Sequence, residues 1–424
     1  MRQPPYMYLW RGLTLAVGTS IAIWAYYLFS CVDLSNSVRN AELSSNSSNR
    51  ISHLCQWRPF EHRPVESVSA RDDAPRKTCR KKTNFVFIKV HKAGGTAMCQ
   101  LLFRFGLRHR LNFVLPNGSS DTTWFNLGWP RPLKEGQYMR RVNGEPFNIL
   151  TNHAVYSRDV FRRIMPNDTA YLAILREPFS HLKSAMNYYN LPGKYRLPRK
   201  DAIATFLRQP SFYERPYRSR RRQRFSHTNL MAHDMGIKFS TRLDSKYVEG
   251  YVTRLDREFL LVLILEYLDE SLVLLKRYMC WDMEDILYKK IYSGNYDLKR
   301  VTATPELRQK HEKWSKADYI LYRQFNRSLW RKINMEGQDF WAEVRTFRDM
   351  HARTTRFCRT GEGRENQTAR LVFDQTPWNQ RVHIDYEFCR LLRSGYAPMR
   401  HQAHVIRKSR LQGLHSTAAG TATS

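Results

Sequence analysis

The segment NFVFIKVHKAGGTAMCQLLFRFG, residues 84–106, constrains the fold more than any other stretch. Asn84–Val90 is a short apolar run rich in Phe, Val and Ile, the pattern of a buried strand. Lys89, His91 and Lys92 cluster at its end, Gly94 and Gly95 follow, and a helical pattern then spans about Thr96 to Phe105. A strand that feeds a tight turn and a helix opens an α/β unit, and open α/β sheets bind ligands at that edge. Glycines let the backbone approach a ligand closely. The helix start adds free N–H groups and the positive dipole end. The turn therefore suits a phosphate or sulfate group. It is not a Walker A loop, because G-x-x-x-x-G-K-[ST] is absent and the lysines precede the glycines. A purely structural turn with solvent-facing lysines would share this local pattern.

Three further apolar runs read as strands: FNILTNH (147–153), AYLAILR (170–176) and FLLVLIL (259–265). Each is apolar on both faces, as in a parallel sheet covered by helices. Helical patterns over Ser180–Tyr189, over 270–280 and from 306 to 347 alternate with or follow them. The expected class is α/β with three layers around a parallel sheet. Residues 84–400 form the expected catalytic domain, and the small, polar end from 401 to 424 is expected to be disordered.

The N-terminus sets the compartment. Gly12–Val32 is 21 residues without a charged side chain, long enough for a helix to span a bilayer. Trp10, Trp24, Tyr26 and Tyr27 suit the interfacial aromatic belt, and Arg2 and Arg11 lie on the short N-terminal side. The expectation is a cytosolic tail (1–11), a signal-anchor helix (12–32) and a luminal remainder. Residues 33–53 hold 11 Ser or Asn in 21, the composition of a flexible stem, taken here to run through 83. Five sequons, at Asn46, Asn117, Asn167, Asn326 and Asn366, are candidate glycosylation sites in such a compartment. Six cysteines lie beyond the anchor, where disulfides form, with their pairing left open. No spacing suggests a metal site. With 70 Lys+Arg against 38 Asp+Glu, the chain needs an anionic partner. A luminal location excludes nucleic acid. RPYRSRRRQRF (215–225) concentrates six arginines, read either as a solvated loop or as a wall of an acceptor groove.

Several blocks resemble the galactose-3-O-sulfotransferases, the group that includes galactosylceramide sulfotransferase. FIKVHKAGGTAMCQLLFRFG is similar to that family's 5′-phosphosulfate loop, and NHAVYSRDV (152–160) to its N-H segment. AILREPFSHLKSAMNYY (173–189) is similar to its 3′-phosphate motif. LEYLDESLVLLKRYMCWDMEDILY (265–288) and LYRQFNRSLWRKI (321–333) match two later blocks in order. The resemblance implies a sulfotransferase fold, related to P-loop nucleotide-binding folds, in a type II Golgi membrane protein. It implies 3′-phosphoadenosine 5′-phosphosulfate as donor, no metal, and a galactose-terminated glycolipid or glycan as acceptor, which the arginine run would suit if anionic. A homodimer is compatible with it. A glycosaminoglycan 2-O-sulfotransferase-like enzyme and a non-catalytic glycan-binding relative are the alternative readings.

The same resemblance implies roles for residues. Lys89, Lys92, Ala93, Gly94, Gly95, Thr96 and Ala97 would hold the 5′ end of the donor, and Arg176 and Ser184 its 3′-phosphate. Lys92 would neutralise the leaving oxygen. His153 is the expected base, with His91 as its rival. Glu266 and the DESL block are expected to cap and position a helix. Gly95 and Ala97 depart from the family pattern, which has hydroxyl side chains there.

Overall fold

The computed structural model describes residues 79–117, 126–198, 200–219, 227–238, 244–289 and 296–421, all within one compact unit, Arg76–Ser424. The anchor segment 12–32, Asn46 and most of the arginine run lie outside the described residues. Among those described, no helix is long and apolar enough to cross a membrane.

The centre is a four-stranded sheet in the order β3 (Ile149–Leu150), β1 (Phe85–Ile88), β5 (Ala170–Leu175), β6 (Leu261–Ile264). All three pairings are parallel, with Phe85 opposite both Ile149 and Ala170, and Leu172 opposite Leu261. Phe85–Ile88 is wholly buried, which is why the run lacks polar alternation. The principal helices are α1 (Gly95–Arg108), α2 (Pro178–Tyr188), α3 (Leu230–Asp234), α4 (Ser245–Glu258), α5 (Leu268–Met279), α6 (Lys316–Asn334), α7 (Asp339–Arg359) and α8 (Tyr396–Thr421). α1 packs on α8, α4 on α6, and α5 on α7. One apolar core runs through sheet and helices, and a smaller cluster around Phe179, Leu182, Met186 and Phe206 supports α2.

The single strand expected over 147–153 is instead two. Thr151 and Asn152 interrupt it because both are buried and committed elsewhere. Thr151 meets the Cys99 thiol, its Oγ1 at 3.3 Å, and the Tyr396 hydroxyl donates to Asn152 Oδ1. The chain then leaves the main sheet as β4 (His153–Val155) and pairs in parallel with β2 (Asn126–Pro132). β2 was not legible: NLGWPRP carries one glycine and two prolines, residues that normally argue against a strand. The last run is also shorter than its apolar extent, for Leu265–Tyr267 coils into a 3₁₀ turn that starts the next helix.

Two boundaries are corrected. The stem does not extend to 83. Cys79 is disulfide-bonded to Cys280, and Lys81 pairs with Asp282 and Asp285 at 2.6 and 2.8 Å. The tail from 401 is not disordered but helical through Thr421, with Arg400, Ala403 and Arg407 buried against the body. A second disulfide joins Cys358 and Cys389, and Cys99 is a buried free thiol. The DESL block starts α5, where Arg348 binds Asp269 and Glu270. Lys276 and Arg277 in the same helix both grip the buried Glu343 of α7, at 2.7 and 2.6 Å.

Of the sequons, Asn117, Asn167 and Asn366 are exposed. Asn366 Oδ1 accepts from Thr368 N and Oγ1, an Asx turn that presents the side chain on the surface. Asn326 differs. It lies inside α6 with Oδ1 buried, and Ser328 is buried and donates to Asp256, so the folded domain does not present this sequon.

Candidate active site

β1 ends at Ile88, and the next six residues form the loop that leads to α1. Lys92 has φ 57° and Gly94 φ 83°, two left-handed residues that turn the chain within a few positions. No side chain caps the start of α1 and no acidic residue lies in its first turn. Its leading N–H groups are therefore available to an outside anion. The loop is shaped for close approach. A Cβ on Gly94 would come within 2.7 Å of Leu265 Cδ1, and one on Gly95 within 2.9 Å of Lys89 Cγ. The Lys89 side chain thus occupies the space that a Cβ at Gly95 would take. Thr96 is exposed beside it.

The charged residues of the loop diverge. Lys92 extends over the ring of the exposed Tyr188, with its ammonium 3.6 Å from the centroid. Its pKa is lowered to about 8 by burial, by Arg176 and by Lys89. An anion bound here would favour the ammonium form. Lys89, by contrast, is buried: its side chain passes Gly95 and its ammonium lies 4.2 Å from the Tyr396 ring centroid. Burial and the Arg400 charge lower its pKa, with only a partial counter-effect from Cys99.

β5 brings the second anion-binding group to the same edge. Arg176, the residue after β5, donates through Nη1 to the Lys92 carbonyl at 3.3 Å, so the loops after β1 and β5 are in contact. The adjacent carboxylate does not pair with it. Glu177 caps α2 by accepting from Phe179 N and Ser180 N, and Arg308 binds Glu177 at 2.6 Å. The amides at the start of α2 are consequently occupied, which leaves Arg176 as the anion-binding group of this junction. Ser184 is half-buried further along α2. Glu266 positions the junction, accepting from Glu177 N at 2.9 Å.

His91 and His153 are brought together although 62 positions separate them, as 153 − 91 gives. Their rings stack at 3.9 Å between centroids and 16° between planes. His153 Nδ1 is 3.0 Å from the Lys89 carbonyl, so Nδ1 carries the hydrogen and Nε2 the lone pair. Burial, then His91 and Lys89, hold its pKa well below the usual imidazole range. His91 has a different environment. Its Nδ1 lies 2.8 Å, and its backbone N 2.7 Å, from Asp234 Oδ2. Asp234 belongs to α3 and is 1% exposed, and its Oδ1 accepts from Trp129 Nε1 at 2.7 Å. The Trp129 ring also lies 4.4 Å from His91. Behind the loop, buried His181 Nε2 donates to the His91 carbonyl, and burial lowers its pKa to about 4.

Asp234, Trp129 and His181 escaped the sequence reading. Asp234 sits in LMAHDMG with no motif around it, Trp129 in a segment to which no element was assigned, and His181 inside an ordinary amphipathic helix. Among the described residues no cluster of His, Cys, Asp and Glu is arranged to hold a metal.

A parallel sheet with an uncapped anion loop at its carboxyl edge, a lysine of lowered pKa on that loop and a carboxylate-backed imidazole beside it defines an α/β enzyme of group transfer from an anionic donor. Comparison with known proteins narrows the class. The family model for galactose-3-O-sulfotransferase matches residues 56–394. The chain is 32% identical to galactosylceramide sulfotransferase of Bos taurus over 327 residues, covering 76% of this chain and 74% of the relative. It is 33% identical to galactose-3-O-sulfotransferase 3 of Mus musculus over 328 residues (76% and 73%). It is 35% identical to galactose-3-O-sulfotransferase 2 of Homo sapiens over 259 residues (60% and 62%). The chain belongs to the galactose-3-O-sulfotransferase family, whose sulfate donor is 3′-phosphoadenosine 5′-phosphosulfate. The loop and Arg176 fit that donor, which carries two separate anionic groups.

Proposed function

We propose that the protein transfers a sulfuryl group to the 3-hydroxyl of a galactose residue on a glycolipid or glycoprotein glycan. The carrying observation is one loop that combines an uncapped helix start, Lys92 and a carboxylate-backed histidine. When bound, 3′-phosphoadenosine 5′-phosphosulfate supplies the sulfuryl group. Backbone N–H groups of residues 93–96 and Lys92 would hold its 5′ end, the Ala97 N–H already donating to the Gly94 carbonyl at 3.1 Å, and Arg176, with Ser184, would hold its 3′-phosphate. A guanidinium fork matches phosphate geometry. Lys92 would neutralise charge on the leaving oxygen, with the acceptor hydroxyl in line with the bond that breaks.

The acceptor proton goes to His91 Nε2 in this reading rather than to His153. Both rings have Nδ1 engaged, but only His91 has a carboxylate to stabilise the imidazolium it would become. Protonating His153 is disfavoured by burial and by its cationic neighbours, which suits a neutral ring that orients His91. His153 as base is the second reading, favoured by its open Nε2.

The acceptor is proposed to be presented in the Golgi lumen, with residues 12–32 as a type II anchor. The uncharged length of that segment and the surface sequons support this. The arginine run at 215–225 favours an acidic acceptor. The test is transfer of radiolabelled sulfate to galactosylceramide, lactosamine glycans, core 1 glycan and heparan. Label on the galactose 3-position is expected. Label on heparan alone would establish the glycosaminoglycan alternative, and absence of transfer together with absence of donor binding would refute an enzyme.

A further inference from the structure

We infer that Asp234 is a positioning residue for the base, and that Trp129 holds its carboxylate in place. The inference rests on the reading of His91 as the base. Asp234 is 1% exposed, and a carboxylate so buried stays ionised only when donors surround it. Three N–H groups do so: His91 N at 2.7 Å and Nδ1 at 2.8 Å on Oδ2, and Trp129 Nε1 at 2.7 Å on Oδ1. The carboxylate fixes His91 as the Nδ1–H tautomer, leaves Nε2 as the basic atom and faces the positive charge that proton transfer creates. Ring rotation is blocked by His153 on one side and Trp129 on another. Because Tyr156 N also donates to the Asp234 carbonyl, β4, α3 and the β1 loop meet at this residue. Trp129, from the bulged strand β2, gives that strand a function beyond its pairing.

A merely structural tie between α3 and the loop would predict something different. Its loss would weaken fold, donor binding and turnover together. Loss of a positioning carboxylate lowers kcat while donor binding persists, and it makes His91 a weaker base, moving the acid limb of the rate profile to lower pH. Other titratable or charged groups face this dyad: His153 from β4, His181 and Tyr189 from and after α2, Asp318 from α6, and Lys89 and Lys92 on the loop. Asp318, pushed up to about 7 by burial, also feels the Asp234 charge and needs its own control.

The experiment measures kcat against pH for the full chain and for Asp234→Asn, Trp129→Phe, Asp318→Asn and His91→Ala, with calorimetric titration of 3′-phosphoadenosine 5′-phosphate and thermal melting on each. Asp234→Asn should lose on the order of 10²–10⁴ in kcat with nucleotide affinity nearly unchanged and the acid limb at lower pH. Trp129→Phe, which removes only the Nε1–H donor, should lose roughly 10-fold in the same direction. Wild-type kcat and an unmoved limb in Asp234→Asn would overturn the inference. So would parallel loss of melting temperature, nucleotide binding and kcat without a limb shift, or a shift produced by Asp318→Asn instead. An active His91→Ala enzyme would refute the base reading itself, whereas an inactive one beside an unaffected Asp234→Asn enzyme would remove Asp234 alone.

Discussion

Lys92→Ala is the most informative single substitution. The ammonium sits on a left-handed loop residue between Arg176 and the start of α1, 3.6 Å above the Tyr188 ring. A unit charge about 4 Å from a charge developing on the leaving oxygen is worth about 4 kcal/mol at an effective dielectric constant near 20. That corresponds to roughly a thousandfold in rate. Removal of single transition-state donors elsewhere costs on the order of 10²–10³. The expected loss in kcat is therefore about 10²–10³, without loss of fold. The charge must also be present when the donor arrives. Lys92 is cationic below its pKa of about 8 and neutral above it, so kcat/KM, which reports the free enzyme, should fall as pH rises through about 8. In the loaded enzyme the donor's negative charge favours the ammonium, so the basic limb of kcat should lie higher. Initial rates with radiolabelled donor between pH 6 and about 10 would measure both limbs. An alanine variant within about tenfold of wild type, or one that keeps the limb near 8, would refute this role.

Further outcomes follow from the same geometry. Arg176→Ala should weaken binding of 3′-phosphoadenosine 5′-phosphate by about 1.5–3 kcal/mol in calorimetry, with little rescue by lysine, which lacks the fork. Gly95→Ser should destabilise the domain by about 1–3 kcal/mol in thermal melting, because its Cβ would meet Lys89 Cγ at 2.9 Å and the Val90 carbonyl at 3.3 Å. Glu343→Ala should cost about 1.5–3 kcal/mol in denaturant titration, since it leaves the Lys276 ammonium with only the Trp378 carbonyl, while Arg277 keeps Glu336 and Asp339.

Much of the molecule is written locally. The run at 85–88, the glycine pair and the helix after it, and the runs at 170–175 and 261–264 each declare themselves within a window of about twenty residues. Burial of strands on both faces and the turn chemistry of glycine are local demands, so the α/β class and the anion loop could be read without coordinates. Lys92, His91 and Arg176 stood out for a related reason, since each follows a strand at the ligand-binding edge, whereas His153, which opens β4, was singled out by the family resemblance.

What lay beyond reading came from contacts between distant segments. Nothing near His153 in the chain indicates that its strand breaks from the sheet at Thr151–Asn152 to stack on His91. Nothing near Asp234 indicates that its carboxylate receives donors from residues 91 and 129. The same holds for Lys89, whose turn toward Tyr396 depends on α8 packing against α1, and for the Cys79–Cys280 bridge that draws residues 79–83 onto the body. Strand and helix patterns express the local energetics of burial and backbone geometry. Which buried donor meets which acceptor is settled only when the elements close on one another, because satisfying those groups is a property of the whole core.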